Sequence, residues 1–124
     1  MNNKHSFLTS KDIDITDKYL KKGYFIGSIE DKKNLNWIRK SFIKIVKEEL
    51  KIKSSIEEDE HFLDLIHKKV PLSELNNFRI RIIQKINSLP NFRQKYFQIS
   101  KQYLDVIVGN EIAMQVKVNL SIQF

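Results

Sequence analysis

The sequence predicts an α+β fold, a helical layer set against strands, on three observations. The first is the stretch 109–124, GNEIAMQVKVNLSIQF, in which every second residue from Ile112 is large and apolar: Ile112, Met114, Val116, Val118, Leu120, Ile122 and Phe124. Successive strand side chains point to opposite faces, so this alternation describes one long strand with an oily and a polar face. The second is Gly23-Tyr24-Phe25-Ile26-Gly27-Ser28-Ile29, an aromatic and β-branched stretch bounded by glycine, which reads as a short strand. The third is the helical spacing of apolar residues in the segments between them. One partial domain over 1–124 follows: 1–108 mainly helical with a short strand near 24–29, and a long strand over 111–124.

Taken in order, Thr16 is placed to cap a short helix through Lys22, closed by Gly23 in a left-handed conformation. The hydrophobicity of 24–29 is nearly continuous, which predicts cover on both sides. Ser28 and Asp31, at capping-box spacing, open a long helix to about Lys51. Leu35, Ile38, Phe42, Ile45, Val46 and Glu49 share one face, nearly all of it apolar, and Trp37 falls outside it, either half-buried over an edge or placed to stack on a ligand. The acidic run 57–60 leads into His61–Lys69, with acids at the start and His-Lys-Lys at the end, as the helix dipole favours; Pro71 ends the element. A helix from Ser73 to Asn87 carries the stripe Leu75, Phe78, Ile82, Ile86, and Arg79 beside it should snorkel or find an acid. The last helix, Asn91 to Val108 with Pro90 in its first turn, has an apolar arc of roughly 200°, too broad for a surface helix. It should pack on two sides, one being the terminal strand it feeds through Gly109.

A strand as long as 111–124 carries a full ladder of donors and acceptors, and only 24–29 reads as another strand. The sequence therefore predicts pairing outside this chain, with a second copy or with a further polypeptide.

Composition narrows the function classes. Forty-one percent hydrophobic residues, with 8 Phe and 4 Tyr, is ordinary globular composition. Without cysteine there is no disulfide scaffold, thiol nucleophile or thiolate metal site. No apolar run reaches the length of a membrane span and the N-terminus lacks a signal-peptide core, so a soluble, cytoplasmic protein is expected. The net charge of +7 invites a nucleic-acid partner. The lysine pairs Lys21-Lys22, Lys32-Lys33 and Lys68-Lys69 are dispersed along the chain, however, and no known reader motif accompanies them, which weighs against it.

The clearest cluster of metal-binding residue types is His61, Asp64 and His67, two histidines and a carboxylate. On an α-helix each is turned roughly 60° from the last, so the histidines diverge by roughly 120° and do not converge on one ion. No nucleophile motif, phosphate loop or dinucleotide fingerprint is present. On the polar face of the terminal strand, Gln115, Asn119 and Gln123 recur every four residues beside Ala113, Lys117 and Ser121. Such amides can hold a small polar ligand, or simply form the solvent face.

Two stretches carry a family resemblance. Lys21-Lys22-Gly23-Tyr24-Phe25-Ile26, a helix running into a GY strand, resembles the N-terminal half of phytanoyl-CoA dioxygenase-like oxygenases. Tyr103 to Gln115 with Asn119 to Gln123, above all VGNE-AMQ and NLSIQ, looks like a bacterial subgroup of that family associated with surface-carbohydrate gene clusters. The resemblance implies a double-stranded β-helix of jelly-roll type, with Fe(II) and 2-oxoglutarate as cofactors of the complete enzyme. It also implies that Gln115 and Asn119, matching a Q-x-x-x-N pattern, help hold 2-oxoglutarate. It covers about half of the family's domain, and the family's His-x-Asp, second His and 2-oxoglutarate-binding Arg have no counterpart here. The resemblance therefore implies the N-terminal portion of a 2-oxoglutarate-dependent hydroxylase, inactive alone, completed by a missing C-terminal half. The rival from another class is a non-catalytic interaction module that pairs its terminal strand with a partner or with its own copy.

Overall fold

The computed structural model describes residues 7–53, 61–109 and 117–122. Four α-helices carry the fold: α1 Ser10–Lys22, α2 Lys32–Glu49, α3 Leu75–Asn87 and α4 Phe92–Ile107. Short 3-10 helices at Leu63–Lys68 and Leu72–Glu74 lead from α2 towards α3.

Local chemistry sets the helix ends. Thr9, not Thr16, caps α1: its hydroxyl accepts from the Asp12 N–H at 3.2 Å, and the Asp12 carboxylate accepts from the Thr9 N–H at 2.9 Å. This reciprocal box satisfies two orphan donors. The Thr9 hydroxyl, which also donates to the Asp12 carboxylate at 2.7 Å, and after it the Thr9 N–H hold the Asp12 carboxyl below its ordinary pKa. Gly23 closes α1 at φ 77° as predicted, donating to the Tyr19 carbonyl at 2.8 Å. Asp31 caps α2 by accepting from the Asn34 N–H at 3.0 Å, whereas Ser28 stands outside the helix. Pro90 precedes α4 rather than entering its first turn, because Asn91 makes the turn at φ 61°.

The core lies between α2, α3 and the 62–70 segment. Ile38, Ile45 and Val46 meet Phe62, Ile66 and Val70 from one side and Leu75, Phe78, Ile82 and Ile86 from the other. All four members of the predicted α3 stripe are buried. Phe92 is the only buried residue of α4, and its ring meets Phe42 edge-on at 5.9 Å and stacks on Tyr96 at 6.1 Å. Trp37 is half-buried as predicted, 6.4 Å from the Phe92 ring. α4 packs on α1, α2 and α3, and most of its apolar residues are half-buried. Its broad arc is thus shared among helices; the hydrogen bonds of 117–122 run to α3 instead.

The predicted α+β class is overturned: among the described residues the chain is helical, with no strand and no sheet. The β-helix implied by the resemblance goes with it. The 24–29 stretch runs without regular structure along α4, and is covered on one side only. Phe25 and Ile29 are half-buried, while Tyr24 and Ile26 are 57% and 83% exposed. The Ser28 carbonyl accepts from the Tyr103 hydroxyl at 2.6 Å and from the Gln102 amide at 3.3 Å. Helix side chains here serve backbone groups that a second strand would otherwise pair. Of the predicted terminal strand, 117–122 is described and 111–116 and 123–124 lie outside the described residues. Over 117–122 the predicted alternation appears as burial: Val118, Leu120 and Ile122 are half-buried against the core, and Lys117, Asn119 and Ser121 are exposed.

Candidate interaction site

The site grows from the end of α3. Asn87 is half-buried there, and its Nδ2 donates back to the Ile83 carbonyl at 2.8 Å. The same Nδ2 donates to the Val118 carbonyl at 2.9 Å, while Oδ1 accepts from the Val118 N–H at 2.8 Å. One primary amide thus engages both backbone groups of one residue, as a neighbouring strand would. Two turns earlier on α3, Arg79 Nη1 donates to the Leu120 carbonyl at 3.2 Å and Nη2 donates to Asn76 Oδ1 at 2.9 Å. Arg79 was expected to snorkel or to meet an acid, and it caps a carbonyl instead.

These contacts give the segment two unlike edges. In an extended chain the N–H and C=O of one residue point to one edge and those of the next to the other. Val118 and Leu120 face α3. The backbone groups of Lys117, Asn119 and Ser121 belong to the opposite edge, and among the described residues no backbone–backbone hydrogen bond joins 117–122 to another segment.

Leu120, Ser121 and Ile122 also form one wall of a groove of about 420 Å³. Its other wall is the 63–68 turn, with Leu63, Asp64, Ile66 and His67, and Val46 and Phe78 of the core line it from below. Asp64 and His67 share this wall because residues three apart eclipse in a 3-10 helix. The α-helical rotation predicted from the sequence does not apply to this turn. His61, ahead of it, lies 3.2 Å from Asp64 through Nδ1, with both side chains largely exposed. Among the described residues no group of three or more His, Cys, Asp or Glu side chains is gathered for a metal ion.

Of the two residues expected to hold 2-oxoglutarate, Gln115 lies outside the described residues and Asn119 is exposed on the side away from the core. Asn87 was missed by sequence reasoning, and Arg79 was singled out without its carbonyl partner. Nothing in their local spacing marks these partners, since the contacts lie 31 and 41 residues along the chain. No protein family, no curated protein and no solved structure matches this chain. No helix among the described residues is long and apolar enough to cross a membrane.

Proposed function

We propose that this chain is a non-catalytic interaction module whose 117–122 segment adds to an incoming β-strand. The observation that carries this reading is the asymmetry of the segment: α3 side chains hold Val118 and Leu120 from one edge, and the other edge carries the backbone groups of Lys117, Asn119 and Ser121. An extended segment pre-ordered on a helical core loses less conformational entropy on pairing than a free one. A second copy of the same segment is the occupant favoured, because isologous antiparallel pairing needs no chemistry beyond the alternation already present. The oxygenase reading has no observation among the described residues to support it.

Sedimentation velocity over a concentration series tests this. The expected result is a monomer–dimer equilibrium. Asn119→Pro removes an outward N–H without touching Asn87 or Arg79, and should abolish the dimer while helicity by circular dichroism stays unchanged. Asn119→Ala, which alters only the side chain, should leave the dimer intact. A monomer at every concentration would overturn self-pairing.

A further inference from the structure

All 4 tyrosines of the chain line one groove of about 560 Å³ between the end of α1, the 24–29 stretch and α4. Tyr19, Tyr24, Tyr96 and Tyr103 come from three separate segments, and Phe25 joins them. Ile99, Leu104 and Ile107 of α4 give the groove an aliphatic lining. It shares no residue with the 117–122 segment or the groove beside it. Tyr103 uses its hydroxyl inside the fold, on the Ser28 carbonyl at 2.6 Å. The other three differ. The Tyr19, Tyr24 and Tyr96 hydroxyls make no hydrogen bond among the described residues, and these residues are 37%, 57% and 41% exposed. The groove is therefore an aromatic trough edged by three available donors. Charge marks one of its ends. Lys21 and Lys22, exposed in the last turn of α1 beside Tyr19 and Gly23 of the groove, have no ion-pair partner among the described residues. Lys18 and Lys101, on the same two helices, are matched by Asp14 and Asp105. With Asp17 one turn earlier counted, this end of α1 is still positive.

We infer that this groove binds a proline-rich segment of another protein in the polyproline II conformation, with acidic residues beside it. Such a segment presents pyrrolidine rings that pack on aromatic walls. It also presents carbonyls that no internal hydrogen bond uses, and the free tyrosine hydroxyls donate to them. The segment is extended before it binds, so little conformational entropy is lost. Its acidic neighbours meet Lys21 and Lys22. Two other occupants fit less well. A β-strand added to 24–29 needs free main chain along that stretch. Tyr103 and Gln102 already hold the Ser28 carbonyl, and the Phe25 and Tyr103 rings lie against Gly27. A sugar also stacks on rings, but it needs polar side chains around their edges. Apart from the tyrosines the described lining offers Ser100 alone, and its hydroxyl donates to the Phe97 carbonyl at 3.2 Å.

The test is titration of the full chain with a fluorescein-labelled peptide of eight prolines flanked at both ends by two glutamates. Anisotropy reads affinity, and amide chemical shifts of the isotope-labelled chain read the place of binding. The expected result is a Kd below ~1 mM, with shifts confined to 19–29 and 96–108. Tyr24→Ala should lose about tenfold in affinity, as truncation of an interface tyrosine does. Tyr24→Phe, which keeps the ring and removes the hydroxyl, should lose about threefold. Lys21→Gln combined with Lys22→Gln should lose about threefold and most of the salt dependence. Leu72→Ala, at an apolar residue 75% exposed outside the groove, should bind as the unaltered chain does. Circular dichroism checks that each variant keeps its helices. Absence of binding by the unaltered chain at ~1 mM peptide would overturn the inference. So would equal affinity for a peptide with glycine in place of each proline, or equal loss in Leu72→Ala and Tyr24→Ala. Binding of cellohexaose with the same tyrosine dependence, and none of the proline peptide, would replace it with a carbohydrate site.

Discussion

Asn87 and Val118 are joined by two hydrogen bonds, amide to carbonyl at 2.9 Å and N–H to amide oxygen at 2.8 Å, across 31 residues of chain. The helix thereby does for one residue what a β-strand does for a row of them. The same substitution of side chain for ladder occurs at Ser28, whose carbonyl is taken by Tyr103 and Gln102. The described part of the terminal stretch, 117–122, and the 24–29 stretch are therefore docked on helices one residue at a time.

Replacing Asn87 by Ala should release 117–122 from α3. Both Val118 bonds are lost in a half-buried setting, and a cost of about 1–3 kcal/mol is expected, since the remaining backbone groups turn to water. Hydrogen exchange should show the Val118 amide losing protection while amides within α2 keep theirs. Unchanged exchange at Val118 would count against the role assigned to Asn87.

Gly27 is required by the close approach of Tyr103. A Cβ built on it would stand 2.6 Å from the Phe25 ring and 2.7 Å from the Tyr103 ring and hydroxyl. Those rings pack at 5.1 Å, so both must shift to admit a methyl group. Gly27→Ala should destabilise the chain by about 1–3 kcal/mol, as overpacking does, and chemical denaturation reads the loss. In Gly27→Ala combined with Tyr103→Ala the two effects should be less than additive, because the second change removes one of the two clashing rings.

Acid should loosen the junction of α2 and α3. The Glu49 side chain, 13% exposed, accepts from Lys85 at 2.6 Å and from Arg81 at 2.9 Å. The Lys85 bond first, and the Arg81 bond after it, hold its carboxyl below the ordinary range against the opposing effect of burial. A carboxyl depressed in the folded state binds fewer protons than in the unfolded chain. Its contribution is therefore present above the unfolded value of about 4.3 and is lost as pH falls through the folded one. Glu49→Gln should lower stability by about 1 kcal/mol at neutral pH, because both cations are nearly half exposed, and by less near pH ~3. Thermal melts of both proteins across that range check the convergence.

Helix positions were available from the sequence wherever the information is local. The α3 stripe Leu75, Phe78, Ile82 and Ile86, the Gly23 stop, and the inner face of α2 all follow from spacing and end chemistry within a few residues. The shift of the first cap from Thr16 to Thr9 is also local, since Thr9 and Asp12 carry the box spacing that reading from Thr16 passed over. The 63–68 turn is different. Its residues suit an α-helix as well as a 3-10 helix, and the choice decides whether Asp64 and His67 eclipse or stand about 60° apart.

The sequence by itself determined which residues face the core: the alternation over 117–122 holds in the structure, with Val118, Leu120 and Ile122 inward and Lys117, Asn119 and Ser121 outward. Alternation reports only that a backbone is extended with one side covered. Tertiary structure alone decided what pairs that backbone, and it is Asn87 and Arg79 rather than a second strand. Side-chain direction is written in local pattern; the partner of a hydrogen bond depends on which distant segment the packing brings within 3 Å.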